Sequence, residues 1–131
     1  MKVSIIIPVR NEELGINKTI EQLEVDLKNL PHEIIFINDF STDNTFKTIE
    51  NIIQKKTQIK LYNNKKKGLG GAIIEGINKA TGESVCIMMS DLSDNTEDFK
   101  NYYNIIKNDK VDAVFGSRFI SGSKIIGYPL R

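Results

Sequence analysis

Continuous apolar segments alternate along the chain with segments whose apolar residues recur every three or four positions. The continuous segments are short and rich in isoleucine and valine, as in strands buried on both faces. They cover residues 3–8, 34–37, 59–62, 85–89 and 111–116. The periodic segments predict amphipathic helices over about residues 13–30, 46–53, 72–80 and 97–108. This alternation predicts an α/β fold with a mainly parallel sheet sandwiched by helices, and ligands at the carboxyl ends of its strands.

Composition narrows the classes of protein. The chain has 131 residues, 40% hydrophobic and 27% charged, enough for one globular domain with one core. Its net charge of +1 offers no basic surface for nucleic acid. The single cysteine, Cys86, excludes an internal disulfide and argues against a thiolate zinc site. His32 follows Pro31 in a predicted loop and receives no role.

We expect no targeting or membrane segment in this chain. No apolar stretch approaches the roughly 20 residues that span a bilayer, and Met1 and Lys2 lead directly into a predicted strand. We therefore expect a cytoplasmic protein, or a cytoplasmic part of a larger one. Because the sequence stops at Arg131 without a closing strand or helix, we expect a fragment of a longer protein. A half-domain exposes apolar surface, so self-association into a homo-oligomer is a further alternative.

Two acidic residues stand where predicted strands open into loops. Asp91 follows the segment 85–89, and Asp39 follows the segment 34–37. Two acidic strand ends in one α/β sheet favour a nucleotide site. A carboxylate there is suited to Mg²⁺ or Mn²⁺, which take few protein ligands when phosphates supply the rest. The alternative is that both residues only cap helices or start turns.

A glycine-rich loop with three lysines precedes the third predicted helix. Gly68, Gly70 and Gly71 permit close backbone approach, and Lys65–Lys67 lie beside them. The loop lacks the spacing of a P-loop, so a turn that feeds the helix is favoured over a phosphate cradle. The lysines are interpreted as a solvated face, with attraction to donor phosphates or anionic lipid as an alternative.

Six short motifs occur in a characteristic order. They are Ile7-Pro8-Val9-Arg10-Asn11-Glu12, Asn38-Asp39-Phe40-Ser41-Thr42-Asp43-Asn44-Thr45, Lys67-Gly68-Leu69-Gly70-Gly71-Ala72 with Gly76 after it, Ala80-Thr81-Gly82-Glu83, Met89-Ser90-Asp91-Leu92-Ser93 and Gly116-Ser117-Arg118-Phe119. The ordered set closely resembles the family 2 glycosyltransferases, nearest to the dolichol- and polyprenyl-phosphate mannosyl- and glucosyltransferases. The resemblance implies a GT-A fold, with residues 1–131 forming the N-terminal donor-binding part of a longer catalytic domain.

The resemblance also implies a chemistry. The donor would be a GDP- or UDP-linked sugar, the transfer inverting, and the acceptor a polyprenyl or dolichyl phosphate or a glycan. Contact with the cytoplasmic face of a membrane would follow from a lipid acceptor. The cofactor would be Mg²⁺ or Mn²⁺. No nucleic acid is expected as a partner.

Site residues carry over position by position. Glu12 would bind the nucleoside, Asp39 the base, and Arg10 stands where the family often has an aromatic residue that stacks on the base. The nucleotide-sugar set comprises Pro8, Arg10, Glu12, Ile37, Asp39, Met89, Ser90, Asp91, Ser93 and Arg118. Asp91, the metal ligand, and Arg118 would be catalytic, and Arg131 would contact the acceptor phosphate.

The metal motif departs from the family pattern. Met89 occupies the first acidic position of Asp-x-Asp, and a thioether is a poor ligand for hard cations. Three explanations compete: Asp91 with the diphosphate suffices, Asp94 compensates, or catalysis is impaired. The first is favoured. A nucleotide-sugar-binding module without transferase activity is the main alternative, and a metal-dependent nucleotidyltransferase is a weaker one.

Overall fold

The structure is a computed structural model that describes residues 1–117 and 121–122. Strands and helices alternate strictly within these residues. The strands are β1 (Val3–Val9), β2 (His32–Asn38), β3 (Ile59–Asn63) and β4 (Ser84–Ile87). The helices are α1 (Ile16–Leu27), α2 (Thr45–Ile53), α3 (Leu69–Lys79) and α4 (Thr96–Asn108). Among the described residues, none of these helices has the length and apolar content needed to cross a bilayer.

The four strands form one parallel sheet in the order β3-β2-β1-β4. The chain adds β2 and β3 on one side of β1 and then returns to place β4 on the other side. In register, Ile6 of β1 faces Ile35 of β2 and Ile87 of β4. The strand order therefore reverses between β1 and β4. In open α/β sheets a reversal of this kind opens a crevice at the carboxyl ends of the two strands.

Helices cover both faces of the two central strands. One face packs with α1, α2 and α4 in a cluster that includes Ile5, Ile7 and Phe36. The other face packs against α3 through Ile6 and its neighbours. Gly76 of α3 lies so close to the sheet that an added Cβ would stand 2.3 Å from Ile6 Cγ2. The absence of a side chain at this position lets α3 settle directly on β1.

Strand β4 is only partly covered. Because α3 packs on β1 and β2, the β4 side chains on that face remain open: Val85 is 43% and Ile87 44% exposed. Their neighbour Cys86 points to the opposite face, where it packs against the larger core cluster. The described sheet therefore ends in an edge strand with an apolar, solvent-facing row.

A buried carboxylate ties the amino ends of the strands together. Glu33 of β2 is 2% exposed. Its Oε1 accepts hydrogen bonds from Ser4 Oγ at 2.6 Å and from Thr81 N and Oγ1 at 2.7 and 2.8 Å. Its Oε2 accepts one from Lys60 Nζ at 2.7 Å, and Lys2 Nζ lies at 3.4 Å. Burial alone would raise the pKa of Glu33, but the hydrogen bonds from Lys60, Ser4 and Thr81 hold it well below its usual range.

The α/β fold, the parallel sheet and the first four strands are confirmed, with shifted boundaries. α3 begins at Leu69, three residues before the predicted start, and α1 is shorter than the predicted segment 13–30. His32 starts β2 rather than lying in a loop. The fifth strand predicted over 111–116 is wrong, because residues 111–117 form no strand. Phe115 is 91% exposed there, and strand propensity without a pairing neighbour does not form a strand.

Candidate functional site

A cleft of about 170 Å³ opens at the carboxyl edge of the sheet, where β1 and β4 diverge. It is lined by Pro8, Val9, Arg10, Glu12, Asp39, Leu69, Met89 and Ser90. Six of these residues belong to the nucleotide-sugar set predicted from the sequence. Residues from the ends of β1, β2 and β4 therefore meet at the switch point of the sheet, together with the first residue of α3.

The loops that follow β1 and β2 hold each other in place. Asn11 Oδ1 accepts a hydrogen bond from Thr42 N at 2.8 Å, and Asn11 N donates to Ser41 Oγ at 3.0 Å. Glu12 N donates to Thr45 Oγ1 at 2.8 Å. These bonds fix the backbone of residues 10–12, from which Arg10 and Glu12 reach the cleft. Since α1 begins only at Ile16, Glu12 lies in the loop before the helix and does not start it.

Asp39 is the most buried acidic residue in the cleft, at 7% exposure. Its Oδ1 accepts hydrogen bonds from Asn64 Nδ2 at 2.8 Å and from Gly68 N at 2.9 Å. Asn64 Nδ2 also contacts Lys66 O at 2.6 Å and Gly68 O at 3.2 Å. Gly68, at φ +111°, then turns the chain into α3. The glycine-rich segment is thus a turn organised by Asn64, which places the start of α3 beside Asp39.

Asp91 lies in a tight turn after β4. Thr19 of α1 donates from Oγ1 to Ser90 O at 2.7 Å, which anchors the turn to the helix. Asp91 Oδ1 accepts a hydrogen bond from Ser93 N at 2.9 Å. Hydrogen bonds from the Ser93 side chain and backbone lower the pKa of Asp91, so its exposed carboxylate stays ionised. Asp94 folds back, and its Oδ2 accepts a hydrogen bond from Met89 N at 2.8 Å.

The single carboxylate of Asp91 fits a metal site in which most of the ligands come from outside the protein. The described part of the chain contains no group of three or more acidic, histidine or cysteine side chains able to hold an ion. A cage built from protein ligands alone is therefore not formed by these residues. A single exposed carboxylate fits Mg²⁺ or Mn²⁺ when a diphosphate and water supply the remaining oxygen ligands.

Among the described residues, three non-glycine residues adopt left-handed backbone conformations, and all three lie in loops at this edge. Asn11 has φ +53°, Phe40 φ +57° and Leu92 φ +58°. They follow β1, β2 and β4, respectively. Such conformations are uncommon for side chains like phenylalanine and leucine, and they cluster at functional sites. The strain thus marks the same edge as the cleft.

Other predicted site residues lie away from the cleft or outside the described part of the chain. Ile37 is fully buried in the cluster beneath α3 and supports the end of β2 without lining the cleft. Ser93 lines a second, open hollow of about 340 Å³ between α1 and residues 92–96. Arg118 and Arg131 lie outside the described residues. Asp43, in the loop before α2, accepts a 2.9 Å hydrogen bond from Thr45 N.

Leu69, Asn64 and Thr19 were not found by sequence reasoning. Leu69 lines the cleft, Asn64 holds Asp39, and Thr19 anchors the Asp91 turn. The sequence carried one usable signal, the position of Leu69 between two glycines at the start of a helix. Asn64 and Thr19 act across 25 and 71 residues of chain, which no local pattern reveals.

A doubly wound parallel sheet with a cleft at its switch point is the architecture on which α/β proteins bind nucleotides. The chain belongs to glycosyl transferase family 2, whose model matches residues 4–131. It is 32% identical to a dolichol-phosphate mannosyltransferase from Pyrococcus furiosus over 98% of this chain and 36% of that protein. It is 34% identical to an undecaprenyl-phosphate 4-deoxy-4-formamido-L-arabinose transferase from Proteus mirabilis over 74% of this chain and 31% of that protein.

Solved structures show the same fold. S. aureus TarS in complex with UDP-GlcNAc superposes with a TM-score of 0.65 at 27% identity, over 82% of this chain and 31% of that one. A Pyrobaculum calidifontis mannosyltransferase in complex with GDP-Man and Mn²⁺ gives a TM-score of 0.71 over 83% of this chain and 33% of that one. At 21% identity, this second likeness supports the fold alone. The fold is that of the GT-A glycosyltransferases, and the chain spans about a third of the length of the relatives it matches.

Proposed function

We propose that this chain is the donor-binding part of an inverting glycosyltransferase that moves a sugar from a nucleotide diphosphate to a polyprenyl phosphate. The observation that carries the proposal is the cleft at the switch point, where Arg10, Glu12, Asp39 and Ser90 converge in a family 2 chain. Two relatives are named as transferases that act with dolichol phosphate and undecaprenyl phosphate, which supports the acceptor class.

The two ends of the donor would bind at different parts of the cleft. Arg10, Glu12 and Asp39 would hold the nucleoside, with the guanidinium plane of Arg10 available for stacking on the base. The diphosphate would then extend toward Ser90 and Asp91 at the end of β4. A bound Mg²⁺ or Mn²⁺ would neutralise charge on the diphosphate leaving group. Asp91, ionised and oriented by Ser93, is the residue of this chain that would hold it.

The acceptor decides whether a general base is required. In an inverting transfer the acceptor oxygen attacks the anomeric carbon as the bond to the leaving diphosphate breaks on the opposite face. A phosphate oxygen is already anionic, so a polyprenyl phosphate needs no base to remove a proton. A hydroxyl acceptor would need one. We assign no general base to the described residues, and the Asp94 carboxylate already accepts a hydrogen bond from Met89 N.

A second candidate function is donor binding without transfer. It is favoured by Met89, whose thioether stands half-exposed where the family pattern places a carboxylate. Donor binding would then persist while turnover by the longer protein is lost. Transfer of labelled sugar to polyprenyl phosphate separates the two candidates.

Calorimetric titration with UDP and GDP, each with and without Mn²⁺, tests the proposed function. We expect metal-dependent nucleotide binding that Asp91→Ala weakens by at least about tenfold, since a charge-assisted contact is lost. Asp109→Ala is the matched control, because it removes one acidic charge from the exposed end of α4. If neither nucleotide binds a folded chain, or if Asp91→Ala has no effect on the metal-dependent part, the proposal is wrong.

A further inference from the structure

Within the described residues, the turn that carries Asp91 receives one side-chain hydrogen bond from another element of the fold. Thr19 of α1 donates from Oγ1 to Ser90 O at 2.7 Å, and both residues are buried. We propose that Thr19 is a positioning residue for the metal and diphosphate end of the donor site, acting through the peptide that joins Ser90 to Asp91. The inference rests on the proposed function and gives a residue of α1 a role in it.

The other side-chain hydrogen bonds of the turn stay inside it. Asp94 Oδ2 accepts a hydrogen bond from Met89 N, and Asp91 Oδ1 accepts one from Ser93 N. These bonds shape the turn, but they do not fix its place relative to the sheet, because both partners move together. Leu92 packs against the larger core cluster, and apolar packing is not directional. The hydroxyl from α1 therefore supplies the directional contact that orients the turn.

The Ser90 carbonyl controls the placement of Asp91 because both residues share a rigid peptide unit. The carbonyl group of Ser90 and the N–H and Cα of Asp91 lie in one plane. A hydrogen bond that holds the carbonyl oxygen therefore also holds the Asp91 Cα and restricts the directions in which its side chain can leave the backbone. Ser90 itself lines the cleft, so the same bond fixes the wall beside which the diphosphate is proposed to lie.

Thr19 is suited to hold this carbonyl. It is 3% exposed in the first turn of α1, and its branched side chain has few rotamers in a helix. Its hydroxyl has one proton, and the alternative acceptor, Gly15 O, lies at 3.2 Å, farther away than Ser90 O. No second donor reaches Ser90 O within the part of the chain that the structure describes. Valine at position 19 would therefore leave this carbonyl without its protein partner.

The same helix follows the loop that is proposed to hold the nucleoside. Arg10 and Glu12 line the cleft from this loop, and Glu12 O accepts hydrogen bonds from Gly15 N at 3.1 Å and Ile16 N at 3.0 Å. Thr19 lies one turn further along α1. The start of α1 is thus bonded to the nucleoside side through Glu12 and to the Asp91 turn through Thr19. It sets the separation between the two ends of the donor site.

The experiment measures nucleotide affinity with and without metal. The wild type, Thr19→Val and Thr19→Ser are titrated with UDP and GDP in Mn²⁺ and in EDTA, with thermal melting to check folding. For the tighter nucleotide, the ratio of the two Kd values gives the gain from the metal. We expect Thr19→Val to lower this gain about tenfold, as when a group behind a metal ligand is removed, and to change binding in EDTA by less than about twofold.

Two further variants separate positioning from packing. Thr19→Ser keeps the hydroxyl and should retain the wild-type gain. Thr48→Val is the matched control, because it makes the same chemical change at a partly buried position of α2, where the threonine hydroxyl has no hydrogen bond to the described residues. It should also retain the wild-type gain.

Three results would overturn the inference while leaving the proposed function intact. They are an unchanged metal gain in folded Thr19→Val, an equal loss of affinity in Mn²⁺ and in EDTA, and a Thr19→Ser variant that loses the gain as Thr19→Val does. If Thr19→Val does not fold, Thr19→Ala replaces it under the same criteria, because alanine favours the helix. A folded wild type that binds neither nucleotide, or gains nothing from Mn²⁺, would overturn the proposed function and the inference together.

Discussion

Replacement of Glu33 by glutamine tests the network at the amino ends of the strands. Glu33→Gln keeps the shape of the side chain and one acceptor oxygen, but it removes the charge and turns a donor toward Lys60. Breaking a buried ion pair typically costs about 3–5 kcal/mol. The Lys60 and Lys2 side chains are 34% and 41% exposed and regain water, so the lower end applies, about 3 kcal/mol.

Urea denaturation followed by far-UV circular dichroism at pH 7 measures this cost. We expect a lower midpoint with an unchanged slope, and a melting temperature lower by about 10 °C. Glu21→Gln on the exposed face of α1 is the control and should change the free energy of unfolding by less than about 0.5 kcal/mol. A loss below about 1 kcal/mol in Glu33→Gln would show that the network contributes little.

The pH dependence provides a second check on the same network. The pKa of Glu33 is lowered in the folded chain from an unfolded value of about 4.3. Between the two values the unfolded chain binds the extra proton, so stability falls as the pH falls. The contribution of Glu33 is complete above about pH 5 and declines below it. The difference between wild type and Glu33→Gln should shrink by roughly 1 kcal/mol at pH 3.5. An unchanged difference would contradict this reasoning.

Two further predictions concern packing and reactivity. Gly76→Ala should destabilise the chain by about 1–3 kcal/mol, because its Cβ would stand 2.3 Å from Ile6 Cγ2. A Cβ added at Gly70 would have no atom within 4 Å, so Gly70→Ala should instead stabilise the folded chain by about 0.4–1 kcal/mol. Equal urea midpoints for the two variants would contradict both expectations. Burial, with the nearby Asp94 charge, raises the pKa of the Cys86 thiol to about 11. Alkylation of the native chain at pH 8 should therefore be on the order of 100-fold slower than that of a free thiol, and a rate near the free value would refute the assignment.

The sequence predicted the strands that are buried in the sheet and missed features that depend on distant partners. Val3–Val9 and His32–Asn38 contain continuous apolar runs because helices cover both of their faces, so composition alone reveals them. The segment 111–116 has similar composition, but it pairs with no strand within the part of the chain that the structure describes. Its side chains stay largely exposed, and local propensity could not distinguish the two cases.

In the cleft, too, local sequence predicts some features, and others depend on distant partners. Arg10, Glu12 and Asp39 are set by their places at strand ends, so a strand prediction with the rule for parallel sheets brings them together. The state of each Asp39 oxygen could not be predicted, because it depends on Asn64 and Gly68 arriving from the next loop. The order of the motifs along the sequence thus locates the cleft. Which hydrogen bonds its side chains make can be read only from the three-dimensional structure.

The uncovered row on β4 has a practical consequence for every measurement above. An edge strand that presents Val85 and Ile87 to solvent is a template for pairing with another strand, and without a covering element such edges drive aggregation. We expect turbidity and non-ideal titration curves to rise with protein concentration. Replacing Val85 with lysine places a charge on this row, away from the cleft, and should extend the concentration range over which calorimetry is reliable.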